Sequence, residues 1–283
     1  MIRWTAAGAV ADPEILQVRI SPVFRGRVGV GAPVPARAMT VEEVCDNITY
    51  FAVTRCGPRT PACDALVLSG VHTPADVLGV VEHGRRLGIS KVTLHCGGDL
   101  ALARSDLAAC CDAVAVSVRS VGDAEALPGG AHAVVVLEQA EGLDALCRAL
   151  VATRPARVTL TWPFPGGAVP PSVSELAPGV RLALDHLVSA GIPAGVKGVP
   201  LCALAPGPLA GRWADRVWRS PNRWYVDAAH QCADALAFFP DVVRFTKPDS
   251  CRFCSANRRC DGVAEAWLHM GLAGPLTPVP FGG

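Results

Sequence analysis

The sequence predicts an α/β fold, with parallel strands separated by helices and a small cysteine-rich appendage after them. Three observations carry that expectation. Short apolar runs rich in β-branched residues alternate with helical patterns through the middle of the chain. Glycines stand directly after two of the helical patterns, Gly88 and Gly191, each just before the next apolar run. Beyond residue 200 this rhythm breaks, and cysteines gather near the C-terminus. Helices alternating with strands argue for right-handed βαβ units.

The expected strands are residues 65–69, 91–95, 113–118, 131–137, 157–162 and 194–199, with an earlier one at 47–53 and an N-terminal one at 16–20. Each is apolar almost throughout, as in a parallel sheet covered on both faces. The expected helices are 74–87, 100–110, 141–153 and 173–190, and the two glycines read as their left-handed C-terminal caps. Six or seven such units are too few for a closed eight-fold barrel, so a partial (β/α) barrel or an open parallel sheet is expected. After Cys202 come Trp213, Trp218, Trp224 and Tyr225 in an irregular stretch, then a CxxC knuckle, a short helix at 263–271 and a Pro/Gly-rich tail. The tryptophans suit either a recognition surface or the packing of the appendage onto the barrel.

Composition narrows the function classes. Apolar residues make up 51% of the 283 residues and charged residues 18%, which excludes a disordered chain. The net charge of +1, with no basic run, leaves no electrostatic footprint for nucleic acid. Residues 1–10 lack a charged head followed by an apolar block, and no apolar stretch is long enough to span a bilayer. A cytoplasmic protein with no membrane partner is expected, and its twelve cysteines then read as reduced thiols rather than disulfides.

Four of those thiols form the leading candidate site. Cys251-Arg-Phe-Cys254 places two on one turn, Cys260 follows close by, and Cys202 lies upstream in Val199-Pro-Leu-Cys202. Four thiolates suit tetrahedral Zn²⁺ or a cubane iron–sulfur cluster equally well on spacing. Cys96, Cys110, Cys111 and Cys147 lie in apolar segments and read as core packing. Cys232 is ambiguous. His72 and His95 stand near strand C-termini, as catalytic candidates or polar lining residues. Gly97-Gly98-Asp99 reads as a tight turn before it reads as a phosphate loop, and Arg55 and Arg59 as a solvated loop before an anion site.

With these residues in view, the chain resembles the radical SAM superfamily, in particular members with a C-terminal auxiliary-cluster domain of the SPASM or twitch type. One stretch carrying the likeness is Ala65-Leu-Val-Leu-Ser-Gly-Val-His-Thr-Pro-Ala-Asp-Val, with the following Arg86-Leu-Gly-Ile and Lys91-Val-Thr-Leu. The other is Leu187-Val-Ser-Ala-Gly-Ile-Pro, Val199-Pro-Leu-Cys202 and Cys251-x-x-Cys254-x5-Cys260-Asp-Gly. The likeness extends over residues 44–278. It implies a partial (β/α)6-type TIM barrel over 41–199, preceded by an N-terminal extension (1–40) and followed by an auxiliary cluster-binding domain (200–283). It also implies one auxiliary [4Fe–4S] cluster on Cys202, Cys251, Cys254 and Cys260, in preference to zinc.

The departures from the family pattern shape the functional expectation. The family's CxxxCxxC motif, in the loop after the first barrel strand, leaves one iron open to bind S-adenosylmethionine. The segment matched to it here is Cys45-Asp-Asn-Ile-Thr49-Tyr-Phe-Ala52, in which Thr49 and Ala52 replace thiolate ligands. The counterpart of the family's GGEP motif is Ser69-Gly-Val-His-Thr73, with Val71 and His72 in place of the second glycine and the acid. Two altered parts of one cofactor site imply a degenerate radical SAM fold that does not bind S-adenosylmethionine. The expectation is a non-catalytic accessory subunit, paired with an active radical SAM homologue and acting with it on a precursor peptide in ribosomal-peptide maturation. One rival is an active radical SAM enzyme whose cluster sits on Cys45, Cys56 and Cys63. Another is a binding module stabilised by zinc.

Overall fold

The computed structural model describes residues 2–5, 8–11, 15–21, 37–54, 63–71, 73–163, 169–204, 223–229, 231, 245–257, 260 and 262–279. Cys56, Arg55, Arg59, His72, Trp213, Trp218, Cys232 and the Tyr225 side chain lie outside the described residues. In chain order the elements begin with strands β1 (Ile2–Thr5), β2 (Gly8–Ala11) and β3 (Ile15–Arg19), then helix α1 (Val41–Thr49) with a π-helical turn Tyr50–Thr54. Next come β4 (Ala65–Ser69), α2 (Pro74–Arg86), β5 (Lys91–His95), a 3-10 turn Leu102–Arg104, α3 (Asp106–Ala109) and β6 (Ala113–Val118). The chain continues through α4 (Val121–Glu125), β7 (His132–Val136), α5 (Leu143–Thr153), β8 (Arg157–Thr161), α6 (Val173–Ser189), β9 (Ala194–Lys197) and α7 (Leu201–Leu204). It closes with β10 (Arg223–Val226), β11 (Phe245–Thr246), a 3-10 turn Asp249–Phe253, β12 (Val263–Ala264) and α8 (Glu265–His269).

Two compact units emerge. The first comprises the described residues of Met1–Arg27, Ala32–Val116 and Ser220–Val242. Its parallel strands run in the order β10-β3-β4-β5-β6, and β1 pairs with β2 antiparallel. Register is strict, with Leu16 beside Leu66 and Leu66 beside Val92. Leu16, Val18, Leu66, Leu68, Val92 and Leu94 are all fully buried. Gln17, Arg19 and Ser69, which alternate with them, are buried too, so the sheet is covered on both faces.

The second unit comprises the described residues of Ser117–Arg219 and Val243–Gly283. Parallel strands β7, β8 and β9 lie side by side, with His132 beside Arg157 and Val158 beside Ala194. Ala133, Val158 and Leu160 are fully buried, and the Thr159 hydroxyl meets His132 Nε2 at 2.9 Å. Together the parallel strands and interleaved helices make the α/β fold that the sequence predicts.

Two expectations need correction, and the strand expected at 16–20 is present as β3 (Ile15–Arg19). Residues 47–53 are helical, not a strand. Thr40 and Glu43 close a reciprocal cap, Thr40 Oγ1 accepting from Glu43 N at 3.1 Å and Glu43 Oε2 accepting from Thr40 N at 2.8 Å. That cap starts α1 and outweighs the β-prone Tyr50-Phe-Ala-Val-Thr run. The helix expected at 100–110 is broken by Ser105, whose extended backbone (ψ 166°) ends one turn and caps the next. The segment 1–40, read as an extension, contributes β3 to the parallel sheet of the first unit, and β10, within 200–283, pairs with it.

Trp224 on β10 is buried and packs against Phe51 with ring centroids 5.4 Å apart, so this tryptophan is a core residue. The return of the chain to α1 is pinned by polar contacts. Gln231 Nε2 donates to Glu43 Oε1 at 3.1 Å, and Arg37 grips the same carboxylate with two nitrogens at 2.7 and 2.5 Å. The Arg37 guanidinium, first, and the Thr40 N–H hold the Glu43 carboxyl far below its usual range. No described helix is long and apolar enough to cross a membrane.

Gly70, just past β4, has φ +68°, and a Cβ there would sit 2.5 Å from the Ser21 carbonyl oxygen. Both the left-handed backbone and the close approach of the segment after β3 demand glycine. Gly70→Ala is expected to destabilise the fold by about 2 kcal/mol, seen as a lower urea midpoint with an unchanged slope.

Candidate metal centre

The four candidate thiols all belong to the second unit. Cys202 sits in the single turn α7, directly after β9, where the chain reverses at Gly198 (φ 79°) and Pro200 O accepts from Ala203 N at 3.0 Å. The region just past a parallel strand's C-terminus is where α/β folds place ligands. The other three ride on a chain of tight turns. Cys251 N donates to Pro248 O at 2.8 Å, Cys254 N to Cys251 O at 3.0 Å, Asn257 N to Cys254 O at 2.9 Å and Cys260 N to Ala256 O at 2.9 Å. Proline at 248 supplies a fixed φ at the entry, and the short polar run Ser255-Ala-Asn257 keeps the backbone turning.

Two backbone N–H groups point at sulfur. Gly262 N donates to Cys260 Sγ at 3.4 Å, and Val279 N donates to Cys254 Sγ at 3.3 Å. Such donors stabilise a thiolate more than a thiol. The Gly262 contact depends on β11 and β12, whose antiparallel pairing sets Thr246 beside Val263. Gly262 has φ +89°, and a Cβ there would lie 2.4 Å from Thr246 O. The Val279 contact depends on the tail, which Ser255 N fastens by donating to Val279 O at 2.9 Å. Further back, Trp267 Nε1 donates to Pro163 O at 2.7 Å, Val173 N donates to Leu272 O at 2.8 Å, and the Trp162 and Trp267 rings stand 6.4 Å apart. The α8 segment is thereby fastened to the residues just past β8 and to the start of α6.

Burial pushes the Cys202 thiol up to about 11, and Cys260, Cys254 and Cys251 add to the rise in that order. Burial also raises Cys251, helped by Cys260 and Cys254 and opposed by Lys247. Cys254 is buried, and the other three are half-buried. Among the described residues no three His, Cys, Asp or Glu side chains are drawn together as ligands of a single ion. Four thiols make a soft, uniform donor set.

The remaining candidates do not join this site. Cys45 lies in α1, raised mainly by burial, and Cys63 is buried just before β4, at the N-terminal end of that strand. Thr49 Oγ1 donates to Cys45 O at 2.9 Å and meets His83 Nε2 at 2.8 Å, while Ala52 is buried in the π-helical turn. The segment matched to the three-cysteine motif is thus helical and is not the loop after the first parallel strand. Residues 20–40, which lie between β3 and α1 in sequence, contain no cysteine. Cys96 and Cys147 are core residues whose thiols burial pushes up to about 12. Cys110 is exposed and Cys111 half-buried, so these two do not pack the core as expected. His95 Nδ1 accepts from Gly97 N at 3.3 Å, and Asp99 Oδ1 accepts from Leu102 N at 2.9 Å, so Gly97-Gly98-Asp99 is a capped βα turn. Gly262 stood in the quoted Cys260-Asp-Gly stretch without a role, and sequence reasoning missed Lys247 and Val279, whose contacts with Asn257 and Cys254 lie 10 and 25 residues away.

No family model matches the chain, and no curated protein matches it. Among solved structures, the chain is similar to the crystal structure of Streptococcus suis SuiB, at 12% identity and a TM-score of 0.44, covering 68% of this chain and 51% of that one. It is similar also to Streptococcus suis SuiB bound to S-adenosylmethionine, at 10% identity and a TM-score of 0.47, covering 95% of this chain and 74% of that one. The chain spans about half the length of the first of these.

Two outcomes test the geometry. Gly262→Ala should displace Thr246 or Cys260 and lower the thermal midpoint of the metal-free chain, since both strain and the Cys260 contact are affected. In the reduced, metal-free chain at pH 8, Cys202 should carry ~100-fold less thiolate than an exposed thiol. Its alkylation by iodoacetamide, followed by mass spectrometry, should accelerate as pH rises toward about 11.

Proposed function

We propose that this chain is a radical SAM-like protein without a working S-adenosylmethionine cluster, which holds one auxiliary [4Fe–4S] cluster on Cys202, Cys251, Cys254 and Cys260. In this reading it acts as a non-catalytic partner of an active radical SAM homologue in peptide maturation. The observation that carries the proposal is the pair of backbone N–H groups that donate to Cys254 Sγ and Cys260 Sγ, in the unit that also presents Cys202 just past β9. The resemblance, not the spacing, favours a cluster over zinc, since four thiolates suit either. When bound, such a cluster supplies one-electron chemistry and a covalent cross-link. The chain's own contribution is to present Cys202 from the end of β9, to orient the knuckle and to donate N–H groups to two of the sulfurs.

The loss of the other cluster is supported in the first unit. Residues 20–40, after β3, include no cysteine, Cys45 belongs to a helix, and Cys63 lies at the opposite strand end from the place where parallel folds do chemistry. The parallel strands and intervening helices support the partial (β/α)6 barrel, with residues 200–283 supplying most of the cluster ligands' surroundings.

Anaerobic reconstitution with iron and sulfide should give a brown chain with about four irons and no cleavage of S-adenosylmethionine after reduction. Cys202→Ala should lower the iron content, and the triple Cys45→Ala, Cys56→Ala, Cys63→Ala variant should keep it. Eight irons with cleavage product, halved in that triple variant, would establish the active-enzyme rival. A colourless protein that takes zinc alone would establish the binding module.

A further inference from the structure

We propose that Lys247 is a fixed counter-charge for the group held by Cys202, Cys251, Cys254 and Cys260, and that its ammonium sets the one-electron reduction potential of that group. The inference rests on the cluster reading above and goes beyond it by assigning a tuning role to a residue that is not a ligand.

The geometry fixes the ammonium at the knuckle. Lys247 directly follows β11, and its Nζ donates to Asn257 O at 2.6 Å and to Asn257 Oδ1 at 3.1 Å. Asn257 in turn closes the Cys254 turn by donating its N–H to Cys254 O at 2.9 Å. The lysine stem lies along the opposite limb, since a Cβ on Gly262 would meet Lys247 Cγ at 2.9 Å. One side chain therefore touches both segments that bracket Cys260. A lysine at the surface is normally a mobile, strongly hydrated charge. Here two acceptors on one residue hold the head, and the side chain is only half-exposed, so solvent screens it less. Its field reaches the Cys251 sulfur, where it opposes burial and the neighbouring thiols. Arg252 is adjacent to Cys251 in sequence but is spent differently. It is exposed and stacks over the Phe253 ring at 4.8 Å.

The redox consequence follows from charge. One electron from dithionite adds one negative charge to the four-thiolate group; no bond forms or breaks. A nearby fixed cation stabilises the more negative, reduced state, so its removal drives the midpoint potential negative.

The test is a dithionite titration of the reconstituted full chain, monitored by electron paramagnetic resonance, with iron counted in every sample. Lys247→Gln retains a donor for Asn257 and removes only the charge; Lys247→Arg keeps the charge. The expected result is a negative shift in the glutamine variant and a wild-type potential in the arginine variant, both at full iron content. An unshifted glutamine variant, or equal shifts in both, overturns the role of Lys247 while leaving the cluster in place. A wild-type chain that takes up no iron defeats the cluster reading and this inference together.

Discussion

Parallel strands buried on both faces impose the order seen in each unit. A strand such as β3 hides Leu16 and Val18 on one side and Gln17 and Arg19 on the other. Nothing in the strand itself covers either side, so the chain must leave, build a helix and return in the same direction. The polar members of the second face then need partners of their own. Ser69 Oγ reaches Val18 O at 3.2 Å, and Thr159 finds His132. Each such crossover leaves from a strand's C-terminus, and the candidate centre grows from one such end, at Cys202 after β9.

How legible this was depended on how local the cause was. Strands 65–69, 91–95 and 113–118 coincide with β4, β5 and β6 because apolar, β-branched runs between turn residues have few alternatives. Gly88 and Gly191 do adopt the left-handed conformation expected of them, at φ 90° and 77°. The helix α1 was hidden behind Tyr50-Phe-Ala-Val-Thr, although Thr40-Val-Glu-Glu43 already spelled its start. The strand β10 left no such trace. Its four residues are a strand because β3, some two hundred positions earlier, offers them an edge.

The candidate centre divides in the same way. Cysteine spacing announces itself, since few packing roles would place four thiols so. What orients those thiols does not. The Val279 N–H and the Lys247 ammonium arrive from elsewhere in the chain, and their value is visible only once the backbone is folded. The structure thus adds a surrounding of donors and one cation to a ligand set already evident from the cysteines.

The separation of Cys202 from its three companions carries a consequence for biogenesis. In the proposed reading Cys202 emerges first during synthesis and the trio at 251–260 follows, its three cysteines within ten residues. A group held by the trio alone would lack its fourth thiolate until Cys202 joined. Closing that ring of about fifty residues restricts the unfolded ensemble by about 4 kcal/mol, as a disulfide of equal span would. Capture and sealing would then be separate events, the second making insertion hard to reverse.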